Sequence, residues 1–122
     1  QELLLTTADG RTGYEPGETL VVNASWDLPE IPKTAEVRLV WYTQGKGDAD
    51  VQVVQQILLD NPQAADTRTC EFLLPESPYS FSGKLISLIW AVELLLGRKQ
   101  TRRLDLIVAP GMNEVQLTEI SK

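Results

Sequence analysis

A chain of 122 residues holds enough material for one hydrophobic core, and its 43% apolar and 23% charged residues exclude the composition of a disordered segment. The formal charge of −6, with an isoelectric point near 4.6, argues against a nucleic-acid partner and disfavours an anionic membrane surface, because both are bound through clustered Lys and Arg. No apolar run reaches the roughly 18 residues of a membrane span, since Ser87 and Glu93 interrupt the longest one, Leu85 to Leu96.

In chain order, short apolar or alternating runs are separated by clusters of turn-forming residues, the spacing of a β-sandwich or barrel. Leu3 to Thr6 reads as a first strand, and a polar loop follows from Ala8 to Gly13. Tyr14-Glu15-Pro16-Gly17-Glu18 reads as a type II turn, with Pro16 fixing its own φ and Gly17 free to take a positive one. Thr19 to Trp26 alternates, with Leu20, Val22, Ala24 and Trp26 on one face, and Pro29 and Pro32 end it.

Glu36 to Gln44 is the next strand, with Val37, Leu39, Trp41 and Thr43 on one side. A Gly- and Asp-rich loop turns the chain into Val51 to Leu59, and a polar connection leads on to Thr67 to Leu74, with Cys70, Phe72 and Leu74 inward. Residues Pro75 to Gly83 are too rich in Pro, Ser and Gly for a central strand and read as a long crossing loop. Lys84 to Leu96 is apolar on both faces, as a central strand should be; a turn leads to Arg102 to Val108, and a short strand near Val115 to Leu117 closes the chain. The whole chain, residues 1–122, thus reads as one all-β, two-sheet sandwich of about eight mostly antiparallel strands.

The order of the motifs resembles the amino-terminal domain of arrestin-like proteins. Tyr14-x-Pro16-Gly17-Glu18 precedes a strand ending in Trp26. Phe72-x-Leu74-Pro75 leads to Pro78-Tyr79-Ser80-Phe81-Ser82-Gly83 and then to the apolar strand Lys84 to Val92. The resemblance implies an immunoglobulin-like sandwich that binds other proteins as an adaptor and has no catalytic residues; a single such half is similar to the bacterial relatives of the family.

Chemistry is restricted from the outset by the complete absence of histidine, which removes Ser-His-Asp and Cys-His arrangements and imidazole zinc sites. Cys70, the only cysteine, excludes an intrachain disulfide and favours a reducing, cytoplasmic setting; its inward position reads as an inert core thiol. Asp48 and Asp50 fall short of the oxygen ligands that calcium needs, and no cofactor is implied. Scattered carboxylates read as solvated, not as an acid–base pair.

Two groups remain as a candidate binding surface. Arg98, Lys99, Arg102 and Arg103 gather four cations around a turn, suited to an anion or an acidic peptide, or else guarding a sheet edge. Tyr79 and Phe81 stand in the crossing loop, whereas Trp26, Trp41 and Trp90 share their faces with aliphatic residues and read as core anchors. The expected function is a non-enzymatic protein-interaction or scaffolding domain that uses a sheet edge or face, with strand addition by a protein partner or a homodimer through an edge. The alternative is an extracellular carbohydrate-binding or adhesin-like sandwich.

Overall fold

Side chains of a strand alternate between its faces, so a strand with one apolar parity must lie against a second layer. The computed structural model describes residues 2–45, 50–83 and 86–111, with the backbone alone of 112, 115 and 116. Ten strands occur among these residues: β1 (Glu2–Thr7), β2 (Gly13–Tyr14), β3 (Thr19–Asp27), β4 (Ala35–Gly45), β5 (Val51–Leu58), β6 (Ala65–Leu73), β7 (Phe81–Ser82), β8 (Ile86–Leu96), β9 (Gln100–Val108) and β10 (Val115–Gln116).

The smaller sheet is β1–β3–β6. The larger runs β5–β4–β8, and the far side of β8 is shared by β7, which carries β10, and by β9, which carries β2. Pairing is antiparallel except for two-residue parallel contacts of β2 with β9 and of β7 with β10. The architecture is therefore the all-β, two-sheet sandwich that the spacing predicts.

Leu20, Val22, Ala24 and Trp26 of β3, with Cys70 and Phe72 of β6, meet Val37 and Leu39 of β4 and Trp90, Val92 and Leu94 of β8 in one core. The inward parity expected for β3 is the buried one. The central strand β8 is buried on both faces, because Ala91 lies opposite Val40 of β4 on the outer side of the sheet and both are almost fully covered.

The two shortest inner strands, β2 and β7, fall in stretches expected to be loops. Two residues are too few to leave a periodic signal, and both strands are defined by what they pair with: β2 with Ile107 and Val108, β7 with Ser87 and Leu88. The turn between β8 and β9 is shorter than expected, since β9 begins at Gln100. Lys84, Leu85 and Leu117, placed in strands by the sequence, lie outside the described residues, as does Asp48.

Strand directions divide the loops between two ends of the sandwich. One end carries residues 8–18, 74–80 and 109–112; the other carries residues 28–34, 59–64 and 97–99.

Candidate functional site

At the first end the motifs singled out in the sequence meet in pairs. Glu18 N–H donates to Glu15 O at 3.2 Å and Gly17 has φ 87°, as the expected turn requires. Gly17 N–H donates to Leu74 O (3.0 Å) and Leu74 N–H to Glu18 O (2.9 Å), which joins the Pro-Gly-Glu turn to the Leu-Pro strand end. Trp90 Nε1 donates to Pro78 O at 2.9 Å, and Ser80 both donates its N–H to Val108 O (2.7 Å) and accepts Val108 N–H on Oγ (2.9 Å). These residues hold the fold together and leave few groups for a ligand.

The same end has a charged network. Tyr14 Oη donates to Asp9 Oδ1 at 2.8 Å, and Arg11 bridges Asp9 Oδ2 and Glu18 Oε1, each at 2.9 Å. The backbone N–H of Arg11, then the Tyr14 hydroxyl and the Arg11 guanidinium, hold the Asp9 carboxyl well below the usual carboxylate range. Burial, reinforced by Asp9, pushes the Tyr14 hydroxyl up. Both Asp9 oxygens, both Glu18 oxygens and the Tyr14 hydroxyl are matched within the network, so it reads as a structural lock.

Four cations close in sequence do not form one surface. Arg102 and Arg103 are neighbours on β9 and so project to opposite faces; the Arg103 guanidinium lies 4.7 Å from the centre of the Tyr42 ring, whose hydroxyl reaches Asp105 at 3.2 Å. Arg98 and Lys99 stand exposed in the hairpin. Phe81 pairs with Leu88 and packs against the core, with Tyr79 exposed beside it. The hairpin follows Leu96, so Arg98 and Lys99 are separated from Phe81 by roughly 25 Å of β8, with Arg102 and Arg103 between. The structure thus places Arg98 and Lys99 at the opposite end of the sandwich from Tyr79 and Phe81.

It brings Arg98 and Lys99 instead against residues 28–34, in a cleft of about 820 Å³ that Pro29, Ile31, Pro32 and Lys33 also line. Gly97 N–H donates to Thr34 O at 2.9 Å and ties the two walls together. The sequence marks these prolines only as the end of a strand. The partnership of the two walls arises from the pairing of β4 with β8, and no local signal encodes it.

The tryptophans are not available as a platform. Trp26 and Trp90 are 3% and 0% exposed, with Nε1 of Trp26 bonded to Gln63 O at 2.7 Å, and Trp41 packs partly buried against the core. Cys70 is buried, which pushes its thiol up. Asp50 uses its backbone N–H on Thr43 Oγ1 at 3.0 Å. Among the described residues no helix is long and apolar enough to cross a membrane.

The free edges differ in chemistry. β6 carries Asp66, Arg68 and Glu71, and β9 carries Arg102, Arg103 and Asp105, the charges that keep an edge from pairing with another chain. β1 lies alongside β9. β5 has no charged residue and no proline, and exposes Val51 (64%), Val53 (38%) and Leu58 (67%). Its register against β4 shifts at Leu39/Val40, so that Val54 is the extra residue of a bulge, and Gln55 Nε2 crosses to Leu73 O at 2.7 Å. Among the described residues no strand pairs with the far side of Val51–Val53.

No family model and no curated protein sequence matches the chain. Among solved structures it is similar to Spo0M, a sporulation control protein from Bacillus subtilis, at 14% identity over 88% of this chain and 49% of that chain, with a TM-score of 0.57. It is also similar to a β-glucosidase from Listeria innocua, at 15% identity over 93% of this chain and 16% of that one, with a TM-score of 0.46. The chain spans about half the length of Spo0M, and at this identity the likeness is one of fold alone: a two-sheet β-sandwich.

Proposed function

We propose that this chain is a non-catalytic protein-interaction domain of arrestin-like type that takes up an extended strand of its partner along β5. The observation that carries the reading is the contrast between edges: among the described residues β5 alone of the long edge strands lacks charge, and it exposes three aliphatic side chains along an edge that no described strand pairs with. The absence of histidine and the burial of Cys70 support a non-enzymatic role. The contacts of the Tyr14–Glu18 turn with Leu74, and of Pro78 with Trp90, support the arrestin-like assignment, because motifs matched by order in the sequence meet in pairs in the fold. A fold shared with a sporulation control protein supports a regulatory or interaction role.

The test is capture of partners on immobilised protein, followed by binding of the purified partner to the parent chain, to Val51→Lys/Val53→Lys and to Arg102→Glu/Arg103→Glu. Loss of affinity in the β5 variant alone, with its melting temperature retained, is the expected result. Equal binding by the β5 variant removes this edge from the reading. A concentration-dependent dimer of the parent that the β5 variant lacks identifies a second copy as the strand donor.

A further inference from the structure

We propose that the cleft between residues 28–34 and the β8–β9 hairpin binds an extended segment of a partner protein in which carboxylates flank an apolar side chain. Part of its lining is apolar: Pro29 and Pro32 bracket Ile31, which is 62% exposed although aliphatic. Its rim is cationic. Among the described residues Arg11, Arg38 and Arg68 each pair with a carboxylate, whereas Lys33, Arg98 and Lys99, like Arg102 and Arg103 on β9, make no ion pair; the first three gather around this one cleft. Glu30 is the one acidic residue in the lining.

Charge complementarity selects the occupant. In a chain of formal charge −6, three unpaired cations around one cleft form a local exception, so an anionic segment is attracted there and repelled by most of the remaining surface. A small inorganic anion leaves the isoleucine and both prolines wet, while an uncharged apolar peptide leaves the cations unmatched; a segment with both features satisfies both halves. The volume lies within the roughly 300–1,000 Å³ of pockets that enclose an organic ligand.

The cleft is also pre-organised. The two prolines fix their φ, Gly97 N–H holds Thr34 O, and Leu28 N–H holds Ala64 O at 2.8 Å, so little ordering is lost on binding. Occupancy here does not depend on pairing at β5, because the cleft lies at the end of the sandwich and β5 along its side.

The experiment is fluorescence anisotropy with a labelled peptide of alternating Glu and Leu, compared with a Glu/Ser peptide of equal charge, a Lys/Leu peptide and inorganic phosphate as competitor. The expected result is saturable binding of the Glu/Leu peptide that weakens as salt is raised from about 50 to about 300 mM. Arg98→Glu/Lys99→Glu and, separately, Ile31→Asp each lower its affinity roughly tenfold or more, and Val51→Lys/Val53→Lys leaves it unchanged. All these side chains are exposed, so the variants fold. Absence of saturable Glu/Leu binding overturns the proposal. So does equal binding of the Glu/Ser peptide or full displacement by phosphate, either of which marks a general anion surface. A parent dimer that Arg98→Glu/Lys99→Glu dissolves also overturns it, by assigning the cleft to a second copy of this chain.

Discussion

Tyr14 is 1% exposed, yet its hydroxyl reaches Asp9 at 2.8 Å and the carbonyl of Arg11 at 3.2 Å, so the ring fills the core while the polar tip emerges at its end. Substitution Tyr14→Phe keeps the ring and removes one donor to a charged acceptor. A loss of about 1–2 kcal/mol is expected in urea unfolding, with an unchanged m-value. An unchanged midpoint would mean that water serves Asp9 equally well. Cys70 is the opposite case, a polarisable group with nothing to do at the surface. Burial holds its thiol in the protonated form against a weaker opposite pull from Arg68, so a thiol-specific disulfide reagent should label native protein slowly and unfolded protein at once. Fast stoichiometric labelling of the native chain would contradict its place in the core.

At the scale of elements, the long strands were legible because burial repeats with the period of the backbone. Leu20, Val22, Ala24 and Trp26 could be assigned to one face from spacing alone, and β8 to the centre from its two apolar faces. β2 and β7 were not, because two residues carry no period and their pairing is settled by distant partners. Ser80 illustrates the difficulty: it reads as a loop hydroxyl, but it is 1% exposed and supplies the acceptor for Val108 N–H. Replacing Ser80 by Ala leaves that donor unsatisfied within the core, at an expected cost of about 1–3 kcal/mol by chemical denaturation. A cost close to zero would show that Val108 finds another acceptor. The candidate surfaces divide in the same way. Arg98 and Lys99 were visible as charges, and the uncharged run of β5 was present to be read, but Ile31 and Lys33 join the hairpin only through long-range pairing of β4 with β8.

For the molecule as a whole, the two ends of the sandwich are specialised. One end is knit by the motif turns and the Tyr14 network, while the other holds the cleft and, across the smaller sheet, the Asp66–Arg68 pair at 3.0 Å. Carboxylates at both ends are stabilised as anions: Asp9 by the Arg11 backbone and its neighbours, Glu18 by the Glu15 N–H and then Arg11, and Asp66 by the Arg68 guanidinium and then Gln63 N–H. Each has a folded pKa below its unfolded value. The stability it contributes is therefore fully present above the unfolded value of about 4 and is lost as pH falls through the folded one. Asp9 is exposed and Glu18 and Asp66 are half-buried, so salt reduces the effect, most of all at Asp9. The melting temperature should accordingly be level from neutral pH to about 5 and decline below about 4. In Asp9→Asn/Asp66→Asn the plateau should be lower and the acid decline shallower, the two curves converging once the parent carboxylates are protonated. Parallel curves, offset by the same amount at every pH, would place the acid sensitivity in other groups.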